Sequence, residues 1–436
     1  MTASDTIADY VAAWEAARDH LPGDADWTRD LRGAAIDRFR TLGLPGPRME
    51  AWKYTRLSPL NQAAFVPAEG PEIISGRDVG DLVIEGLDGP ELVFVNGRWD
   101  GDLSRTVDLP DGCRLVDLAE ALAADDAEVR ALLSAVHDDD ALTQLNTAMM
   151  RDGFLLHVAG GVTLDAPLQV IHVAHEAARQ AAHTRLLVVL EAGAAATVIE
   201  TFAGDDDAYW TNTVLQARVG ENAALTHWKR QREGGNAVHV ARGFVHLEAG
   251  ARYRSLVLST GAEIARNETR VTMAGPAADA RLAGVQLARA GQSLDTLTFV
   301  DHAVADTTSG QTFKAVLDRQ AKTAFQGKVL VQPDAQHTDA RQSSNNLLLD
   351  RTAEANTKPE LEIYADDVQC AHGATVGELN ADALFYLTSR GLDLEAARAL
   401  LVEAFVTDVL EAIEDETVRQ AFAAQAAGWM NAEETS

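Results

Sequence analysis

A chain of 436 residues, 47% hydrophobic and 24% charged, holds more material than one ordinary compact core uses, so two or three domains or one elongated repetitive domain with appendages are expected. A formal net charge of −29 opposes nucleic-acid binding, because a phosphate backbone rewards clustered Lys and Arg. No apolar run approaches the roughly 20 residues that a membrane helix needs, and the acidic start MTASDTIADY lacks a basic stretch leading into an apolar one, so no membrane association and a cytoplasmic location are expected.

Residues 1–150 read as a mostly helical domain with a small β patch. Tyr10, Trp14 and Ala17 fall at helical spacing, as do Leu31, Ala35, Phe39 and Leu42, and Pro or Gly punctuation follows each run. Residues 92–95 form a short apolar strand before the turn signal Asn96-Gly97, and residues 115–133 return to a helical pattern. From about 153 the period becomes two: runs such as 155–158, 186–190, 213–219, 238–247 and 294–300 alternate between Gly, Asn and Asp punctuation. An internal echo runs through them, with LEAG at 190–193, VGEN at 219–222, LEAG at 247–250 and MAG at 273–275, its turn residues returning at 29, 28 and 25 residues. Such a period points to the rungs of a β-solenoid spanning 151–378, each covering its inner face only against its neighbours. A β-sandwich is the alternative, and its long crossing connections suit this monotony less.

The segment 379–436 is helical again. Asn380 can cap a helix over 381–389 with Gly391 as its stop, and Asp393 can cap a longer one carrying the apolar stripe Ala397, Leu400, Leu401, Ala404, Phe405 and Val409. Val418, Ala421, Phe422 and Gln425 suggest a third helix. The stripe is wider than one small neighbour would cover, so it is expected to dock on the solenoid, on a partner, or on both.

The two cysteines, Cys113 and Cys370, lie far apart and are expected to be free thiols in a reducing compartment. Cys370 stands two residues before His372 in QCAHGAT (369–375), and in an extended backbone both project from one face, where a soft metal would suit them. On residues alone the alternative is a packing cysteine beside a histidine bonded to backbone. The surrounding stretch 358–391 (KPELEIYADDVQCAHGATVGELNADALFYLTSRG) resembles the C-terminal signature of the SufB/SufD family of iron–sulfur cluster assembly scaffolds, on its SufD side. GLP at 43–45 with EAWKYT at 50–55, VFVNGR at 93–98, Gly327 with Lys328, and QSSNN at 342–346 extend the resemblance over most of the chain.

The resemblance implies a right-handed parallel β-helix flanked by helical segments, which agrees with the repeat, and a non-catalytic scaffold role. It implies a heterodimer with SufB through the β-helix and docking of the SufC ATPase on the C-terminal helices, with Leu401 and Phe405 as anchor candidates. It makes His372 a ligand, and Cys370 a secondary candidate, for a transient iron–sulfur cluster or iron at the subunit interface, with none expected to stay on the isolated subunit. ATP-driven motion of SufC would then open the junction. A SufB-like identity is the neighbouring reading, which two cysteines suit less, and pairing of the same surface with itself is another. A β-helix enzyme that degrades polysaccharides is the rival from a different class, and it would call for secretion and paired carboxylates.

Other candidates are discounted. His172 and His175 spell H-x-x-H in a β run, where residues three apart face opposite sides. His227, His239 and His246 suit structural roles, and the runs Asp138-Asp139-Asp140 and Asp205-Asp206-Asp207 suit solvated loops. No phosphate-cradling G-x-x-x-x-G-K-[ST] loop occurs, so ATP hydrolysis is assigned to another subunit. QSSNN receives no role.

Overall fold

The two-residue alternation after residue 151 becomes a run of short strands from Asp152–Val158 to Gln369–Glu378, all pairing in parallel with one another. In the computed structural model, which describes residues 3–68, 74, 79–135 and 140–431, these strands fall alternately into two ten-stranded sheets. Two strands make a turn, and about eight turns stack as a β-solenoid.

The echo marks one corner of the coil. Leu190, Val219, Leu247 and Met273 stand in register on neighbouring strands. Just beyond them, Gly193, Asn222, Gly250 and Ala277 turn the chain with φ of 71°, 57°, 65° and 59°. Each donates its N–H to a carbonyl one turn further on, those of Glu221, Ala249, Pro276 and Asp306. The left-handed residue of the fourth rung is thus Ala277, not the Gly275 that the echo suggested.

Inside the coil the facing sheets bury Leu156, Val170, Val188, Val198, Leu215, Leu247, Met273 and Phe325. The outer faces are covered from the two chain ends. Helices Ala3–Ala17, Asp26–Leu42 and Ala141–Met149 place Tyr10, Phe39 and Leu145 against Trp210, Val238 and Ile264 of one sheet. Helices Leu394–Leu410 and Glu416–Asn431 place Val402, Val406, Val409 and Phe422 against Trp228, Leu256, Val285 and Val316 of the other.

The first 150 residues also feed both sheets. Glu91–Val95 pairs in parallel with Leu168–Ala174 and turns through Asn96-Gly97 into Arg98–Trp99. Cys113–Asp117 pairs antiparallel with Asp152–Val158. The expected helix over 115–133 therefore starts later, as Leu118–Ala123 and Ala127–Ala135, because Leu115 and Val116 are drawn into the sheet edge. The Asp117 carboxylate caps the first of these helices.

The segment EAWKYT pins the N-terminal region to the coil. Buried Arg266 lies 4.0 Å over the Trp52 ring and donates to the Ala51 carbonyl (2.8 Å), Thr55 Oγ1 (2.7 Å) and Glu268 Oε1 (2.6 Å). Glu268 also pairs with Arg242 at 2.6 Å. Burial favours the neutral acid, but Arg242, Arg266 and Arg270 together hold the Glu268 pKa down to about 2. Glu268→Gln leaves two buried guanidinium groups beside a neutral amide, and urea unfolding at pH 7.5 is expected to show a loss of about 3 kcal/mol.

His302 is buried with its ring nitrogens 2.7 Å from Thr307 Oγ1 and 2.9 Å from Ser309 Oγ, and burial pushes its pKa down to about 4. The folded state keeps this ring neutral while the unfolded chain protonates near pH 6.5, so its contribution is complete above that value and is lost as pH falls toward 4. Between pH 8 and pH 5, His302→Gln should lose about 2 kcal/mol less unfolding free energy than the parent protein, measured by urea titration at both values.

Candidate functional site at the open end of the coil

Gln369–Glu378 is the last strand of its sheet and pairs only with Asp339–Leu348. Cys370, His372, Ala374 and Val376 stand in register with Ala340, Gln342, Ser344 and Asn346, all buried on the inner face of the preceding turn. The four later residues therefore continue inward-facing columns past the point where another turn would cover them. Cys370 is half-buried, packed on the cluster of Val329, Val331, Ala340 and Ala365, and burial pushes its thiol pKa up. His372 is exposed. One face thus carries a thiol and an imidazole toward the mouth of the coil.

Two donors do not complete the four-ligand set that iron in a cluster usually takes. Among the described residues no group of three or more His, Cys, Asp or Glu converges to hold a metal ion.

The mouth leaves strand edges and apolar side chains uncovered. Glu354–Ile363, the last strand of the other sheet, likewise has a neighbour on one side only. Of the nine exposed large hydrophobic residues among those described, seven lie between 363 and 400: Ile363, Tyr364, Val376, Phe385, Tyr386, Leu394 and Leu400. Phe385 is the most exposed, at 73%. Unpaired strand edges beside apolar side chains are the surface that another chain can extend.

On the helix Leu394–Leu410 the buried residues are Ala397, Val402, Val406, Val409 and Leu410, so Ala397 and Val409 of the expected stripe are covered, while Val402 and Val406 take the place of Leu401 and Phe405. Leu401 and Phe405 sit on its flank, half-buried. Phe405 is engaged within the chain, with Lys314 Nζ 4.6 Å over its ring and 2.7 Å from its carbonyl oxygen. Leu394 and Leu400 face outward beside a groove of about 510 Å³ that also takes in Trp429 and Met430.

The other histidines weighed in the sequence stand apart from the mouth of the coil. His172 is stacked between Phe94 and Phe202 with ring centroids 5.2 and 4.2 Å away, while His175 follows the strand end and is not brought to it. His227 Nε2 lies 2.6 Å from Glu200, and His239 Nδ1 lies 2.7 Å from Glu233, both pairs buried in the coil. His246 is exposed on the outer face. Asp205 and Asp206 accept backbone N–H groups of the corner turns, from Glu176 and Asp207 and from Gly235. Of the other acidic run, Asp140 caps the helix Ala141–Met149, and Asp138 and Asp139 lie outside the described residues. Sequence reasoning missed the place of Gln342, although counting 30 residues back from His372, close to the repeat interval, lands on it.

Comparison with known proteins agrees with this architecture. Residues 4–170 match the family profile described as the SufBD protein N-terminal region, and residues 172–405 match that of the SUF system FeS cluster assembly SufBD core domain. An iron–sulfur cluster assembly SufBD family protein of Synechocystis sp. is 32% identical over 393 residues, covering 88% of this chain and 86% of the relative. The iron–sulfur cluster assembly protein SufD of Escherichia coli is 32% identical over 389 residues, covering 88% and 89%, and SufD of Bacillus subtilis is 25% identical over 415 residues, covering 90% and 92%. The chain belongs to the SufBD family of iron–sulfur cluster assembly proteins.

Proposed function

We propose that this chain is a SufD-type scaffold subunit: it pairs with a SufB-type subunit through the open end of its coil, and a cluster is assembled at that junction and then released. The observation that carries the reading is the placement of Cys370 and His372, two donors on one inner face at the mouth of a solenoid whose last strands lack an outer neighbour. The cluster is cargo, and the ligands missing from this chain come from the partner. A neutral imidazole donates less strongly than a thiolate, which favours a cluster that leaves. On this reading the chain works in the cytoplasm and catalyses no reaction itself. No helix among the described residues is long and apolar enough to cross a membrane, in keeping with that location.

Pairing with a second copy is the weaker alternative. The edge strand Glu354–Ile363 carries Glu354, Glu360 and Glu362, paired within the chain with Lys322, Lys358 and Lys328, so what opposes self-pairing is the net charge of −29 on each chain. His372→Ala in the complex co-expressed with SufB- and SufC-type subunits is expected to leave assembly intact while iron and acid-labile sulfide on the purified complex fall at least tenfold. Unchanged iron and sulfide content would end the ligand role.

The outward face of the C-terminal helices is the proposed landing surface for a SufC-type ATPase. Removing everything after Leu392 would strip the cover from Trp228, Leu256 and Val316, so a surface substitution is the sharper test. Leu400→Glu adds charge at an exposed position and should leave the melting temperature within about 2 °C while weakening ATPase-subunit retention in pull-down at least tenfold. Full retention would place the docking surface elsewhere.

A further inference from the structure

We infer that Gln342 is a positioning residue for His372, its side-chain amide fixing which ring nitrogen faces the mouth of the coil. This rests on the reading of His372 as a ligand. Gln342 is 4% exposed, and neither its Oε1 nor its Nε2 has a hydrogen-bond partner. A buried amide with both ends unmet is rare in a folded protein and calls for a partner that the isolated chain does not supply in place.

The register offers that partner. In the column that runs Leu282, Gln311, Gln342, His372, the amide stands between Gln311, whose Oε1 accepts from Thr298 and whose Nε2 is also unmet, and the imidazole, the neighbour on the open side, one inter-strand step of about 4.8 Å away. The opposite wall makes room for the amide. At Gly327 a Cβ would stand 2.6 Å from Gln342 Nε2 and 2.5 Å from Phe325 Cζ, so only glycine lets the amide lie there. The residue above Gly327 in the next turn is Pro359, which has no N–H to offer. His372 is exposed and in register with Gln342, so on this inference its ring turns toward the amide and donates an N–H to Gln342 Oε1.

The chemistry gives that contact a purpose. A histidine that binds metal through one nitrogen commonly donates the N–H of the other to a nearby acceptor, which sets the tautomer and the ring plane. Oε1 is the acceptor here, and the second nitrogen is left as a lone-pair donor directed out of the coil. The neighbouring polar residues of QSSNN are otherwise engaged: Asn346 Nδ2 donates to the Thr375 carbonyl at 2.9 Å, and Thr375 Oγ1 donates to Asn345 Oδ1 at 2.8 Å.

The test is ¹⁵N NMR of the full chain labelled at histidine, at a pH where imidazole is neutral, with His372→Ala assigning the resonance. The parent protein should show His372 held mainly in one tautomer. Gln342→Leu, of similar volume, should bring the two ring-nitrogen shifts toward those of exposed His246, while the other histidine resonances and the melting temperature stay in place. Gln342→Glu, which keeps an acceptor, should restore the parent pattern. Identical His372 shifts in the parent and Gln342→Leu proteins, or no recovery with Gln342→Glu, would overturn the proposal. Should Gln342→Leu collapse the fold, Gln342→Met with the same readout decides. This outcome is separate from the iron content of His372→Ala: a tautomer that depends on Gln342 together with undiminished iron in His372→Ala would sink the ligand role and leave the contact standing.

Discussion

In a parallel coil each turn is covered by the next, and the chain must solve the problem of its two ends separately. At the beginning it does so with its own residues. Cys113–Asp117 closes the edge of one sheet antiparallel to Asp152–Val158, and the hairpin from Glu91–Val95 to Arg98–Trp99 closes the other, with Phe94 and Trp99 packed over the first inner columns. At the far end no such strand follows among the described residues. The columns of Ala340 and Gln342 continue into Cys370 and His372, and the backbone edge of Gln369–Glu378 stays open. An internal face that a single chain leaves unfinished is the source of both the donor pair and the apolar surface around it.

The flanking helices are fixed by different means on the two sides. The C-terminal pair is held mainly by apolar contact, Val402, Val406, Val409 and Phe422 over Trp228, Leu256 and Val285. The N-terminal region adds a polar pin, in which Arg266 is shared among Trp52, Ala51, Thr55 and Glu268. Thr55 in turn donates to Asp295, whose pKa burial pushes up to about 6. Lys358 Nζ reaches Glu50 at 2.6 Å, which links the same pin to the last strand of its sheet. The N-terminal segment is therefore anchored within reach of the open end.

Much of this is legible in the sequence where one physical rule acts alone. The coil shows because alternation and corner chemistry repeat together, and Leu190, Val219, Leu247 and Met273 do stack. The donor pair shows because residues two apart in a strand share a face. Where two rules compete, the reading slips. Leu115 and Val116 have helical spacing with the residues after them but are claimed by a sheet edge that local sequence does not reveal. In LEAARALLVEAFVTDVL nearly every side of the helix is apolar, so the stripe that packs, Val402 with Val406, is not separable from Leu401 with Phe405 until the sheet beneath is known. EAWKYT reads as a family word, yet its meaning depends on Arg266, more than 200 residues away.

An exposed edge on a long sheet is normally a route to aggregation, and the chain restrains it with charge. Along Glu354–Ile363 the outward positions carry Glu360 and Glu362, with Lys358 and Lys328 drawn into pairs with Glu50, Glu360 and Glu362. Corner residues Asp366 and Asp367 add to the rim. Pairing between copies brings two such rims together on chains of −29 each. Charge thus works against pairing of two such edges, which expose Ile363, Tyr364 and Val376 and carry Cys370 and His372.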